Sequence, residues 1–279
     1  MDKITKVAIQ GIAGAFHDEA ARKFFGNDIA LDECNTFSRL CERVDNGKAD
    51  YGIMAIENTI AGSLLQNYGY LDRFKLRIIG EIYLRIRMNL MALKGTRLKD
   101  IKHVFSHPIA LRQCAEYLNT LPSDVIISEA EDTAESAKNI FEKNLAGTAA
   151  VAGNNAATMY HLEILKHEIE TVKQNYTRFI VLSKNPQPVS NSNKASISFE
   201  VRHQPGSLAY ALAIFARNKV NLTKIQSVPI IGQPYQYAFH VDLEWDDIQQ
   251  YNLSIAEVLR HVAELSIYGE YKKGELPAV

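Results

Sequence analysis

Cysteine is scarce in this chain: Cys34, Cys41 and Cys114 are the 3 thiols among 279 residues. They show no CxxC spacing, which excludes a disulfide framework and a cysteine-built metal site and leaves reduced thiols packed in a core. Long apolar runs are missing as well. No stretch approaches the ~20 apolar residues that span a bilayer, and residues 1–6 lack an apolar signal core. These absences lead us to expect a cytoplasmic protein with no membrane partner. Nor does charge of one sign accumulate: 31 Lys+Arg stand against 32 Asp+Glu, for a formal net charge of -1. The basic residues are scattered, so nothing draws the chain onto nucleic acid. The turn at Gly11–Gly14 lacks the third glycine of a dinucleotide fingerprint, and no phosphate-binding lysine follows it. The reading contains no metal and no cofactor.

The composition that remains is globular, 47% hydrophobic and 23% charged, and the length suits about two domains. Strand and helix signals alternate over residues 1–183. Strands are expected at 7–9, 29–31, 51–56, 104–106, 125–128, 149–152 and 178–183. Helices follow from Phe16 to Phe25, after Thr36, from Pro108, from Thr133 to about Asn144, and after Gly153. A long β-rich stretch, 76–93, carries the chain from one set to the next. Alternation of this kind predicts mainly parallel sheets covered on both faces, here as two α/β lobes with a cleft between them. Residues 184–194 read as a linker of Asn, Pro, Gln and Ser. Beyond it come strands at 196–201, 220–229, 235–243 and 267–271, with helices at 206–218 and 254–264. That order, βαββαβ, is the ferredoxin-like plan.

Ligands of open α/β sheets bind beyond the carboxyl ends of the strands. The turns there are Gly11 to Phe16, Glu57-Asn58-Thr59 with Gly62-Ser63, Ser106-His107-Pro108 and Gly153-Asn154-Asn155. Each opens a helix, whose free N–H groups suit a small anion; ordinary helix capping needs the same residues. Glu57 is either a cleft carboxylate or a solvated turn residue, and His107 either an acid or a buried cap. Thr177 by itself fits a plain strand start.

Together these pieces resemble the prephenate dehydratase family, in its bacterial, monofunctional form with a C-terminal ACT domain. The match runs in order through Gly11–Phe16 with Glu19-Ala20-Ala21, through Ile56-Glu57-Asn58-Thr59 and Gly62-Ser63, and through Ser106-His107-Pro108 with Ala110 and Gln113-Cys114. It continues in Thr133–Ala137 and in Ala156-Ala157 to Tyr160-Leu162. Its most specific part is Asn175-Tyr176-Thr177-Arg178-Phe179, where the family carries a threonine-arginine-phenylalanine signature. Pro205-Gly206-Ser207-Leu208 and Asn221–Ile225 resemble its ACT domain. Ala15 replaces the usual Ser or Thr, Ala55 the usual Pro, and Gln226-Ser227-Val228-Pro229 the usual Glu-Ser-Arg-Pro.

The resemblance implies an α/β catalytic domain at 1–183 similar to type II periplasmic binding proteins. One lobe would take about 1–75 and 170–183, the other about 76–169. The linker at 184–194 would lead to an ACT domain at 195–279. It implies conversion of prephenate to phenylpyruvate without a cofactor, with arogenate as the alternative substrate and a non-catalytic small-acid sensor as the reading from another class. Thr177 becomes the central catalytic residue, with Glu57 and His107 as sources of the proton for the departing hydroxyl. Gly14, Asn58, Thr59, Ser106, Gln113, Thr133, Arg178 and Phe179 become substrate contacts. L-Phenylalanine would be the effector, held by Gly206, Ser207, Leu208, Ala209, Gln226, Ser227 and Pro229. Exposed edges of a four-stranded sheet invite pairing, so a homodimer or homotetramer is expected.

Overall fold

The computed structural model describes residues 4–187, 189–230 and 232–277. Residues 1–3 of the leading segment and Pro188 of the expected linker lie outside the described residues. The chain opens with β1 (Thr5–Gln10), α1 (Phe16–Phe25), β2 (Ile29–Cys34), α2 (Phe37–Asp45), β3 (Tyr51–Asn58) and β4 (Gly62–Ser63). Next come α3 (Gln66–Phe74), β5 (Arg77–Arg85), β6 (Asn89–Ala92), β7 (His103–Ser106), α4 (Pro108–Gln113) and α5 (Ala115–Leu118). Then follow β8 (Ile126–Glu129), α6 (Thr133–Glu142), β9 (Thr148–Ala152), α7 (Asn154–Met159), β10 (Glu163–Lys166) and β11 (Tyr176–Ser183). The C-terminal run is β12 (Lys194–Glu200), α8 (Ser207–Arg217), β13 (Asn221–Pro229), β14 (Tyr237–Glu244), α9 (Ile248–Val258) and β15 (Glu264–Tyr271).

Contacts divide the described residues into two compact units. One holds 4–64, 82–179 and 276–277; the other holds 65–81 and 180–275. β5 and β11 therefore each begin in one unit and end in the other. The first sheet runs β2-β1-β3-β11-β5, with β4 paired to β3. Its middle strand β3 is buried from Gly52 to Ile56, as an apolar run covered on both faces requires. The second sheet runs β10-β6-β9-β7-β8. Local chemistry sets the helix starts: Thr36 Oγ1 accepts from Arg39 N at 3.1 Å, Pro108 opens α4, and Asp132 Oδ1 accepts from Ala134 N and Glu135 N.

The sheets are mixed, where alternation alone led us to expect mainly parallel ones. β1 pairs in parallel with β2 and β3, and β7 with β8 and β9, but β6 runs antiparallel to both β9 and β10. Helix α3 lies outside the expected helices: no side chain caps it and Gly69 interrupts it. Burial of Asn67, Tyr68 and Leu71 holds it in place.

The third sheet, β13-β14-β12-β15, is antiparallel throughout. The crossovers β12-α8-β13 and β14-α9-β15 each skip one strand, which is the expected βαββαβ plan. Helix α9 starts earlier than the apolar pattern predicts, because Asp247 caps it through Gln249 N at 2.9 Å. Ile197, Phe199, Val241 and Leu243 face the helices in one apolar core with Phe215 and Tyr251. The alternate positions Lys194, Ser196, Ser198, His240 and Asp242 are polar and equally buried. Segment 65–81 meets that polar face: Lys194 Nζ bridges Glu81 Oε1 at 3.0 Å and Glu244 Oε1 at 3.1 Å. Tyr268 donates to Asp72 Oδ1 at 2.9 Å, and His240 lies between the rings of Tyr68 and Tyr268.

Candidate active site

The end of β3 and the start of β11 lie together and carry one directed hydrogen-bond chain. Asn58 Oδ1 accepts from the backbone N–H of Ile60 at 3.0 Å and of Ala61 at 2.8 Å. Those two donors fix which end of the amide is oxygen. Asn58 Nδ2 then has to face the other way, and it donates to Asn175 Oδ1 at 2.7 Å and to Thr177 Oγ1 at 2.9 Å. Asn175 is fully buried; its Nδ2 donates in turn to Gln113 Oε1 at 3.2 Å. The polarity set by two backbone N–H groups thus passes through three side chains. It ends with two groups whose donors are unspent among the described residues: the hydroxyl hydrogen of Thr177 and the amide nitrogen of Gln113. Thr59 closes the same corner, its N–H donating to Tyr176 O and its Oγ1 accepting from Tyr176 N, both at 2.9 Å.

Arg178 points to the opposite face of β11. It is buried, and its Nη1 lies 3.9 Å from Oε2 of the half-exposed Glu57. The structure therefore brings Glu57, Asn58, Thr59, Gln113, Thr177 and Arg178 into one neighbourhood. Asn175, which the sequence reading did not single out as a site residue, links its two halves. Its signal was its place in the Asn175-Tyr176-Thr177-Arg178 run, where an amide two residues before the threonine shares that residue's side of the strand.

The other expected contacts have structural partners. Ser106 is fully buried and its hydroxyl donates to Val151 O at 2.6 Å. His107 caps α4, Nδ1 accepting from Ile109 N at 3.2 Å, which leaves Nε2 as its outward group. Thr133 is the half-buried first residue of α6, whose cap is Asp132. Phe179 is a core side chain, edge-on to His17 with ring centroids 5.0 Å apart. Gly14 has φ 87°, and a Cβ there would press on the backbone of Ala156 at 3.2 Å. Tyr160 adds a hydrogen bond to Ala13 O at 2.6 Å.

Two N–H groups of the glycine turn are taken by carboxylates of the chain itself. Asp18 Oδ2 accepts from Gly14 N at 2.8 Å and Glu33 Oε1 from Ala13 N at 2.7 Å. Burial pushes the thiol of Cys34 up to about 11 and those of Cys41 and Cys114 up to about 12, so all three are unreactive core groups. Among the described residues no cluster of His, Cys, Asp and Glu is arranged to hold a metal, and no helix is long and apolar enough to cross a membrane.

In the C-terminal unit, Gly206, Ser207, Leu208 and Ala209 line a cavity of about 370 Å³ together with Tyr235 and Phe239. Gly206 takes φ 84°. Gln226, Ser227 and Pro229 lie on β13 and do not line this cavity; Pro229 borders a neighbouring one of about 330 Å³.

Residues 7–187 match the family described as prephenate dehydratase. The chain belongs to that family. The family's arogenate dehydratase/prephenate dehydratase 2 of Arabidopsis thaliana is 38% identical over 94% of this chain and 70% of its own length. The bifunctional chorismate mutase/prephenate dehydratase of Aquifex aeolicus is 35% identical over 99% of this chain and 76% of its own. The crystal structure of prephenate dehydratase from Arthrobacter aurescens in complex with L-Phe is matched with TM-score 0.86 at 26% identity, covering 99% of this chain and 92% of that one. A protein described as GqqA, a novel type of quorum quenching acylase, also aligns with TM-score 0.86, at 28% identity over 96% of this chain and 98% of its own.

Proposed function

We propose that the chain converts prephenate to phenylpyruvate. The ring carbon loses its carboxylate as carbon dioxide, the electron pair of that bond enters the ring, and the C–O bond opposite breaks. The departing hydroxide takes up a proton and leaves as water. Aromatisation drives the step, so the protein has to position a dicarboxylate and stabilise charge growing on the leaving oxygen. The observation that carries the reading is the directed chain ending at Thr177. Asn58 occupies the acceptor side of that hydroxyl, so its hydrogen is left for the leaving oxygen. Gln113 offers a second donor to a substrate carboxylate, and Arg178 a charge shared with Glu57. His107 Nε2 and Glu57 are the sources we assign for the proton, which general acid help would make worth about 10²–10⁴-fold.

An acylase reading has the shared architecture behind it but needs a nucleophile in contact with a base. Thr177 is paired with an amide, which favours the dehydratase. The family names on the relatives include both prephenate and arogenate, so both belong in the assay. Purified protein should release phenylpyruvate from prephenate, and Thr177→Ala should lower kcat by orders of magnitude with KM nearly unchanged. Thr177→Ser should recover part of the rate. Full turnover by a folded Thr177→Ala variant would overturn the assignment.

We assign the C-terminal βαββαβ segment as an ACT-type sensor of L-phenylalanine, in a cytoplasmic homodimer or homotetramer. The Gly206 turn, the aromatic-walled cavity beside it and the L-Phe complex of the Arthrobacter relative support this. Inhibition should be retained: close to that with the usual Glu-Ser-Arg-Pro segment where its two charges only pair with each other, and roughly tenfold weaker where one of them reaches the ligand. Calorimetric titration with phenylalanine beside the activity assay reads it, and absence of both heat and inhibition at millimolar phenylalanine counts against it.

A further inference from the structure

The unit that holds Thr177 contains a cavity of about 380 Å³ that none of the Thr177 group lines. Its walls come from α1, β5, β6 and α7, so it draws on the first and second sheets together. Three cations border it: Lys23, Arg85 and Arg87. Two carboxylates oppose them. Glu168 is shared between Arg85 Nη2 at 3.3 Å and Arg87 Nε at 3.4 Å. Glu19 is pushed above its ordinary range by burial, against the pull of Lys23 and Arg87. Formal charge at the rim is therefore positive by one.

Asn89 is the second, independent observation. Its side chain is nearly sealed, 3% exposed, and lines the cavity. Its Oδ1 accepts from Glu168 N at 3.0 Å, which fixes the amide so that Nδ2 is the other end. Among the described residues Nδ2 donates to no protein group. An acceptor placed in the cavity would take that donor. Phe16 and Leu84 add an apolar side to the same space.

We propose that this cavity binds a small monocarboxylate carrying an apolar group, separately from the Thr177 site. One carboxylate balances the rim charge, where a phosphate dianion would reverse it. Its oxygens can accept from Asn89 Nδ2 and from the guanidinium fork of Arg87, whose side chain is half exposed and so free to turn. The apolar substituent lies along Phe16 and Leu84. Bound there, the acid joins β5 of one sheet to β6 of the other. The inference does not depend on the dehydratase reading.

Phenylacetate is a suitable probe, and a fragment of that size binds at about millimolar concentration. Calorimetry on the intact protein should show binding that persists in Thr177→Ala. Arg87→Gln and Asn89→Asp should weaken it by about tenfold or more, the first by removing a charged donor and the second by placing an acceptor against the ligand. Arg87 is exposed enough that its substitution leaves folding intact, so that variant decides if Asn89→Asp fails to fold. Loss of binding in Thr177→Ala, wild-type affinity in Arg87→Gln, or no heat at all with phenylacetate overturns the proposal.

Discussion

Asn175 contacts two other side chains, and its effect lies in their orientation. With the amide removed, Asn58 loses an acceptor and Gln113 loses the donor that fixes its oxygen, so both can rotate. Misplacement of such groups by about 1 Å costs on the order of 10²-fold in rate. Asn175→Ala should therefore lower kcat by about 10²-fold, while costing about 1–3 kcal/mol of stability for the unsatisfied groups it leaves. Steady-state kinetics beside thermal melting separate the two effects; a rate that falls only in step with the folded fraction would count against the orienting role. His240 sets a pH limit at the same scale. Burial lowers it from the ordinary 6.5 to about 4, opposed by Asp242 and assisted by Lys224. A histidine depressed in the folded state stays neutral there while the unfolded chain protonates. Stability is then complete above pH 6.5 and drains away as pH falls towards 4, by about 3 kcal/mol in total. His240→Phe keeps an aromatic ring between Tyr68 and Tyr268 and should flatten that slope in urea unfolding at pH 7 and pH 4.5. The Asn175 relay and the His240 stack differ in how far sequence announces them. Thr177, Asn58 and Gln113 sit in recognisable motifs, but the partners that join them lie far apart in sequence, 62 positions for Gln113 with Asn175 and 119 for Asn58 with Thr177. Ser106 and Phe179 come from the same motifs, and their partners, Val151 O and the ring of His17, are set by the fold rather than by local sequence.

Strands and caps were the legible elements. Apolar runs flanked by glycine and proline locate β1, β3, β7, β9 and β11 within a few residues, because burial on both faces demands those runs. Two things escaped. The direction of β6 and β10 depends on where the chain re-enters the second sheet, which no local pattern encodes. Helix α3 has no side-chain cap and carries Gly69 in its interior, and its buried face, Asn67, Tyr68 and Leu71, holds it in shape. Two glycines probe this packing with opposite signs. Gly269 on β15 faces the backbone of β5, and a Cβ there would overlap the carbonyl oxygen of Ile78. Gly269→Ala should destabilise by about 3 kcal/mol, since backbone rather than a flexible side chain must move. Gly69 sits inside α3 with open space around its Cα, so Gly69→Ala should stabilise by about 0.4–1 kcal/mol through lost chain entropy. Paired denaturation midpoints test both, and equal shifts would refute the packing described for 65–81.

At the scale of the whole molecule, the boundary that reads most clearly in sequence, the polar stretch 184–194, is not where the compact units part. The chain passes between units after Leu64, Glu81, Phe179 and Glu275. A fragment ending at 183 carries α3 and the first half of β5 without the strands they pack on, and should express as insoluble or partly unfolded protein. A soluble fragment with a sharp melting transition would contradict this. Composition gave no hint of it, since the polar face of the third sheet reads as solvent-facing until Glu81 and Asp72 are seen against it. Breaking the backbone between 189 and 193 should accordingly release nothing. The nicked halves remain one particle in gel filtration, held by Lys194 with Glu81 and Tyr268 with Asp72, and come apart only in denaturant. A gene exchange made at that polar stretch would for the same reason deliver an incomplete part: the C-terminal segment travels without residues 65–81, the piece of the preceding sequence on which its sheet is built.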